Sequence, residues 1–483
     1  MHTKRLLIVA LTLSSAGCAA VGPAYHRPDA PAPAAYKEPP PDGWSVAQPQ
    51  DATLRGSWWE VFGDAELNAL EVRLNANNQT IVQSFENYMA ARALVRVARA
   101  PLYPTLSATP SVTESNAGGA TSSSNGGSNG TSGATHAIFE LPAEVSWQPD
   151  FFGKVRNSVK QSVAAAQVSG ANLENIRLSE QASLAQLFFQ LRGQDALQQL
   201  YAETIDSDRK ALEITQTRFD TGIASQQDVV QAEVALHAVE AAATAVRIAR
   251  DQDEHAIAVL IGEAPGAFSM PVKPLAAQPP VIPIGLPSQL LERRPDIASA
   301  ERAAAEANAL IGIGKAAYFP SVTLSGTAGL AATTLSQLVT GPAGVWSLGA
   351  SLAQTLIDHG ARKATVQQYE AQYRAAVASY RQTVLTAFRE VEDNLASSRE
   401  LAVQVAQQQQ AVEASTQYRD LAMTRYQTGV DTYLNVLTAQ NTLLGNQQTI
   451  ATLRTNQMVT SVQLIAALGG GWSVKTPGPS VVF

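Results

Sequence analysis

The chain has 483 residues, of which 45% are hydrophobic and 16% charged, and its formal net charge is −7. This composition excludes a disordered chain. The acidic balance excludes the basic footprint that nucleic-acid binding requires, so no nucleic-acid partner is expected. Cys18 is the only cysteine, which rules out internal disulfides and cysteine-based zinc sites. The six histidines lack metal-ligand spacing and the five methionines do not cluster, so no metal site is expected. No uninterrupted apolar run reaches the ~18 residues of a spanning helix. Any membrane span must therefore be a closed β-barrel, the other structure that satisfies its backbone within lipid.

At the N-terminus, Lys4 and Arg5 precede a short apolar stretch from Leu6 to Leu13, and Ser15-Ala16-Gly17 leads into Cys18. A charged region, a short apolar core and small residues read as an export signal over residues 1–17. The segment resembles a bacterial lipobox, although Ser15 stands where leucine is usual. That resemblance implies lipid attachment at Cys18, with no other cofactor. It also implies sorting to the outer membrane, because Ala19 is not a retention signal. Residues 18–63 follow as an extended tether, with Pro28, Pro31, Pro33, Pro39, Pro40 and Pro41. Proline fixes φ and lacks an N–H, so the segment stays out of regular structure.

The remainder is duplicated. Thr217-Arg218-Phe219-Asp220-Thr221-Gly222 recurs as Thr424-Arg425-Tyr426-Gln427-Thr428-Gly429, 207 residues later. Phe152-Gly153-Lys154 and Leu260-Ile261-Gly262 recur at the same offset, and Tyr103-Pro104 matches Phe319-Pro320 at an offset of 216. A fixed period means one supersecondary unit used twice. The repeats are assigned to residues 64–270 and 271–472, with a tail over 473–483. Each reads helix, strand, loop, strand, long helix, turn, helix.

The strands alternate. Leu106, Ala108, Pro110 and Val112 interleave with Thr105, Ser107, Thr109 and Ser111, and Phe139, Leu141, Ala143, Val145 and Trp147 with Glu140, Glu144 and Ser146. In the second copy, Val322, Leu324, Gly326, Ala328 and Leu330 alternate with Ser321, Thr323, Ser325 and Thr327. Trp346, Leu348, Ala350 and Leu352 alternate with Ser347, Gly349 and Ser351. Period 2 over about ten residues fits a transmembrane barrel strand; a soluble sandwich shares the pattern. Pro110 and Pro142 mark bulges or strand ends. Residues 117–135, nearly all Gly, Ser, Asn and Thr, form a surface loop, and residues 331–344 form another.

The long helices run from Val155 to Phe219 and from Ala361 to Tyr426, without proline. Sixty-five helical residues extend about 97 Å. Leu184, Phe188 and Leu191, and Val384, Phe388, Val391 and Leu395, recur at helical spacing and form the expected core stripes. Glu292-Arg293-Arg294 beside Asp296 reads as a turn clamp at a helix start. No nucleophile elbow, zinc-protease helix, phosphate loop or paired acid–base motif is present, so an enzyme is not expected.

Ordered along the chain are Val21-Gly22-Pro23-Ala24-Tyr25, Trp58-Trp59, Phe62-Gly63-Asp64, Leu286-Pro287-Ser288, the run from Leu290 to Ile297, Tyr318-Phe319-Pro320, Thr424-Arg425-Tyr426 and Leu468-Gly469-Gly470-Gly471-Trp472. Together with the duplication, they resemble the TolC-like outer-membrane efflux proteins, in the lipoprotein branch with the OprM-like and NodT-like channels. The resemblance covers essentially the whole mature chain. It implies an α+β fold: a trimeric outer-membrane β-barrel, four strands per protomer and twelve in total, continuous with a long periplasmic α-helical barrel. Four strands cannot close a barrel alone, which also requires partners.

The resemblance further implies a homotrimer working with a periplasmic adaptor and an inner-membrane pump of RND type, a passive exit duct for small toxic compounds. A type I protein-secretion duct would share the fold, and a pore-free periplasmic lipoprotein is the remaining reading. The periplasmic gate is expected at the turns 220–227 and 427–432, with Tyr426 bonded to Asp228. Arg425 and Arg218 either brace the turns or cap their own helices. Where relatives carry acidic aperture rings this chain has Asn435 and Thr438, with Asn441 in place of an arginine. An acidic ring at Asp431 and an apolar constriction at Leu434 are the alternatives.

Overall fold

The computed structural model describes residues 20–31, 33, 35–38, 57–116, 135–282 and 294–470. Cys18, the signal segment, most of the long first loop, Leu286 to Arg293 and the tail fall outside them. The helices are α1 (Ala65–Asn77), α2 (Gln79–Arg99), α3 (Lys154–Asp220), α4 (Gln226–Leu260), α5 (Pro295–Ala316), α6 (Ala361–Gln427) and α7 (Tyr433–Ala467). The strands are β1 (Thr105–Ala108), β2 (Ser111–Asn116), β3 (Thr135–Trp147), β4 (Ser321–Ala332) and β5 (Gly344–Ala353). The expected order holds in both repeats, and the chain divides into two compact units.

One unit contains the sheet. Its order is β1-β3-β4-β5, all antiparallel, with β2 also paired to β3. The expected first strand is split at Thr109-Pro110, where proline removes a ladder donor. Pro142 stays inside β3, opposite Gly329, where a side chain would collide with the neighbouring backbone.

The register sorts the faces. Leu106, Val145, Gly326 and Leu348 form one row across the sheet, and Ala108, Ala143, Ala328 and Trp346 the next. On the other face Ser107, Glu144, Thr327 and Ser347 align, with Ser111 and Glu140 beside them. The apolar rows stand open: Trp346 is 77% and Leu348 81% exposed. A contiguous apolar face left open in this way needs lipid or another chain against it.

In the same unit the start of each long helix is clamped alike. Asp150 accepts the backbone N–H and Nε of Arg156, and Asp358 those of Arg362. The N-terminal strap lies on α3 and α5. Asn157 donates to the Val21 carbonyl at 2.8 Å, Asn308 to that of Pro23 at 3.1 Å, and the Tyr25 hydroxyl to Glu301 at 2.5 Å.

The other unit holds the main apolar core. Leu184, Phe188, Leu191, Val384, Phe388, Val391 and Leu395 all lie within it, joined by Trp58, Phe62, Leu67 and Leu74. Each buried Leu or Phe removed from water contributes roughly 1.5–3 kcal/mol. Asp64 caps α1 by accepting from Glu66 and Leu67 N–H. Arg294 is buried and bidentate to Asp296, and it also donates to Glu390 and to the Ala467 carbonyl. It therefore clamps the start of α5 to the end of α7.

By length and composition alone, α4 is apolar enough to cross a membrane, although Asp228, Glu233 and Glu240 interrupt its apolar runs. Its hydropathy comes from valine and alanine interspersed with polar residues. It also buries Arg250 in ion pairs with Asp195 and Glu254, contacts that belong to a protein interior.

Candidate functional site

Each repeat ends in a helical hairpin, and the two hairpins are built alike. Gly222 and Gly429 both adopt φ of 77°, a left-handed geometry that favours glycine. The Gly222 N–H donates to Phe219 O and the Ile223 N–H to Arg218 O, both at 2.8 Å. Gly429 and Val430 repeat the pattern onto Tyr426 and Arg425, at 3.0 and 2.9 Å. Thr221 and Thr428 return their hydroxyls to the carbonyls of Thr217 and Thr424. The recurring Thr-Arg-aromatic-x-Thr-Gly is thus the sequence of one capping motif.

Beyond the glycine the hairpins differ. In the first, Ser225 caps α4 through a reciprocal pair with Asp228. In the second, Thr432 takes that place without a side-chain cap bond. Instead Asp431 accepts Arg425 Nε at 2.9 Å and Asn435 Nδ2 at 2.6 Å. The Arg425 guanidinium, and then Asn435, hold its carboxyl below the ordinary range.

The hydrogen bond expected between Tyr426 and Asp228 is not formed within the protomer. Ser225 holds the Asp228 carboxylate, while the buried Tyr426 hydroxyl has no partner among the described residues. Tyr426 is held through its ring and backbone. The Arg218 guanidinium lies 4.5 Å from its ring centroid and donates to its carbonyl at 3.1 Å. Arg218 therefore caps the end of α6 in the other repeat, instead of bracing its own turn or capping its own helix. Tyr433 packs against Tyr426 with centroids 5.5 Å apart, in a small core with Ala232, Ala422, Val436 and Ala439. Burial, then the charges of Asp208, Tyr426 and Asp228, push its hydroxyl up to about 12.

Arg425, Asp431 and Asn435 therefore come together, whereas Leu434 and Thr438 lie on the exposed face of α7. Thr438 gives its hydroxyl to the Leu434 carbonyl at 2.8 Å. Two residues outside the expected set matter, Tyr433 and Asp208. Asp208, Ala211, Thr215 and Arg218 follow one face of α3 at helical spacing, a signal the sequence carries.

A sheet with a lipid-suited face and paired long helices ending in capped hairpins define an outer-membrane channel with a helical extension. The model of the outer membrane efflux protein family matches residues 71–263 and again 286–470, and the chain belongs to that family. TtgC, a probable efflux pump outer membrane protein of Pseudomonas putida, is 32% identical over 476 residues, 98% of this chain and 97% of TtgC. OpmQ, a pyoverdine export outer membrane protein of Pseudomonas aeruginosa, is 30% identical over 443 residues, 91% of this chain and 92% of OpmQ. The solved outer-membrane channel OprN superposes with a TM-score of 0.82 at 28% identity, covering 94% of this chain and 99% of OprN. The protein is thus an outer-membrane efflux channel of the TolC-like fold, spanning the outer membrane with its helical part in the periplasm.

Proposed function

We propose that three copies of this chain close a twelve-stranded barrel and form a passive exit duct for small toxic compounds. The observation that carries this reading is the sheet: four antiparallel strand paths with open edges at β1/β2 and β5, apolar on one face and polar on the other. Edges abolished by closure and an apolar face turned to lipid make such a sheet stable in a bilayer. No catalytic step is required of such a duct, and its energy would come from partners: an inner-membrane pump, of RND type, reached through a periplasmic adaptor. The hairpin tips are read as the periplasmic gate, with Tyr426, Arg425, Asp228, Asp431 and Leu434 in it and Asn435 and Thr438 lining the aperture. Cys18 is read as the lipid attachment point, adding about 0.8 kcal/mol of membrane binding per buried CH₂.

The test has three parts. Native mass spectrometry of the detergent-purified protein should give a trimer, and planar bilayers should show ion conductance. A strain lacking the protein should become sensitive to toxic compounds, while its secreted proteins stay the same. A monomer that passes no ions would overturn the reading, and loss of a secreted protein with unchanged compound resistance would favour a secretion duct. Cys18→Ser should lose labelled palmitate; retained label would place the lipid elsewhere.

A further inference from the structure

Buried polar atoms without partners recur around the hairpin tips. The Tyr426 hydroxyl, Arg218 Nε, Gln231 Oε1 and Gln440 Oε1 are enclosed within a single protomer and meet no hydrogen-bond partner among the described residues. Orphaned buried groups are costly, and native proteins keep few of them. Because these are already shut inside the protomer, a neighbouring subunit could reach them only if the helices moved. Such a core suits an element with two arrangements.

Among the described residues, Asp208 is the one buried acid in this region. It is 7% exposed and makes no hydrogen bond or ion pair among the described residues. Tyr433 of α7 is the titratable group that feels its charge, and Tyr433 in turn faces Tyr426 of α6 and Asp228 of α4, so the groups around the small core are neutral or acidic. The cations on its own helix are committed elsewhere. Arg209 pairs with Glu240, Lys210 with Asp206, and Arg218 lies on Tyr426. On α4, His237 pairs with Glu240, and on α6 Arg425 pairs with Asp431. An ionised Asp208 would thus meet a desolvated site with no counter-charge.

We propose that Asp208 is a proton-operated latch: protonated, it lets α3 pack against α6 and α7 as seen here, and ionised, it loosens that packing and opens the tips. Burial pushes the Asp208 carboxyl up to about 6, so its charge changes over mildly acidic pH. The proposal rests on the reading of the tips as the periplasmic gate, and it supplies that gate with a control.

The experiment is open probability of the full-length protein in planar bilayers, from about pH 5 to about pH 8. Wild type should rise at least ~10-fold with a midpoint near 6, the change in ionised fraction of a single site over that range and a floor for three sites acting together. Asp208→Asn, a near-isosteric stand-in for the protonated acid, should stay at the acid level throughout. Asp208→Glu, which restores a titrating carboxyl, should restore the response. Asp253 is a second acid that burial pushes to about 6, and it lies further along α4. Asp253→Asn should keep the wild-type profile. A flat wild-type profile, or an Asp208→Asn profile like that of wild type in a protein that still runs as a trimer, would overturn the latch. Absence of conductance at every pH would instead sink the duct reading on which it rests.

Discussion

Arg192 and Arg399 stand 207 residues apart on equivalent turns of α3 and α6, and each ties an extended segment to its helix. Arg192 donates to the Pro271 carbonyl at 2.8 Å, and its neighbour Asp195 accepts the Lys273 N–H at 2.9 Å. Arg399 donates to Glu38 at 2.8 Å, and Glu392 accepts the N–H groups of Lys37 and Glu38 at 2.8 and 2.9 Å. The N-terminal segment thus does in the second repeat what the linker between repeats does in the first. This pairing also explains why two segments without regular structure stay in place.

The two straps should differ in what their loss costs. Asp195 is fully buried and joins Arg192 and Arg250 at 2.8 and 2.7 Å. Asp195→Ala leaves two buried guanidinium groups short of a counter-charge, a loss of about 3–5 kcal/mol. The Arg399 pairs are part-exposed, so Arg399→Ala should leave the melting temperature almost unchanged. Thermal unfolding of both variants in detergent checks this, and equal losses would contradict it.

Glu71 gives a second prediction. It is fully buried on α1 beside Leu67, Leu70 and Leu74, and neither carboxyl oxygen has a partner among the described residues. Burial raises its pKa from 4.5 to about 9. The folded chain therefore keeps a proton that the unfolded chain releases near 4.5. Stability is full below that value and is lost progressively as pH rises toward about 9. Glu71→Leu should remove this slope. Its advantage over wild type should be small near pH 5 and on the order of a few kcal/mol near pH 8. A constant difference between melting curves at the two pH values would show that Glu71 is ionised in the fold.

Much of this architecture was legible from periodicity. The period-2 segments from Thr105 to Trp147 and from Ser321 to Leu352 mark the strands, and the 3–4 spacing of Leu184, Phe188 and Leu191 marks a core stripe. The sequence also exposes the duplication, because one capping motif with an obligatory glycine is used twice. Partner choice at the tips is not legible in the same way. Asp228 follows Ser225 by three residues, and that local capping box competes with any long-range bond to Tyr426. Arg218 looks like a residue that serves its own helix end, and only tertiary packing brings the end of α6 within its reach. Glu71 falls on the stripe of Leu67, Leu70 and Leu74, so its place on the buried face is legible from helical spacing, but its lack of a partner there depends on tertiary packing.

The sheet predicts a sharp contrast between adjacent positions of β5. Leu348 lies in the apolar row with Leu106 and Val145, whereas Ser347 aligns with Thr327 and Glu144 on the polar face. Leu348→Arg would put a charge into lipid, at about 2–4 kcal/mol near the bilayer midplane and less toward the interfaces. It should reduce the heat-modifiable, outer-membrane-inserted fraction. Ser347→Arg should insert normally and alter conductance. If both variants inserted equally well, the apolar face would not be facing lipid.

At the tips, the geometry ranks Arg218 above the Tyr426 hydroxyl. Tyr426→Phe removes a buried O–H with no partner among the described residues, so it should leave conductance and stability close to wild type. Arg218→Ala removes both the stacking on the ring at 4.5 Å and the donor to the last turn of α6, a direct polar link between the two hairpins. Cation–π contact of this kind contributes about 0.5–2 kcal/mol and the charged cap a comparable amount. Three copies would multiply the effect, so Arg218→Ala should raise the open probability by an order of magnitude or more. Asp228→Ala loses the capping box of α4, about 1 kcal/mol, and should fall between the two. Bilayer recordings of the three variants at one pH decide the order. If Tyr426→Phe opened the channel more than Arg218→Ala, the hydroxyl would have a partner in the assembled duct, and the phenol would outrank the guanidinium.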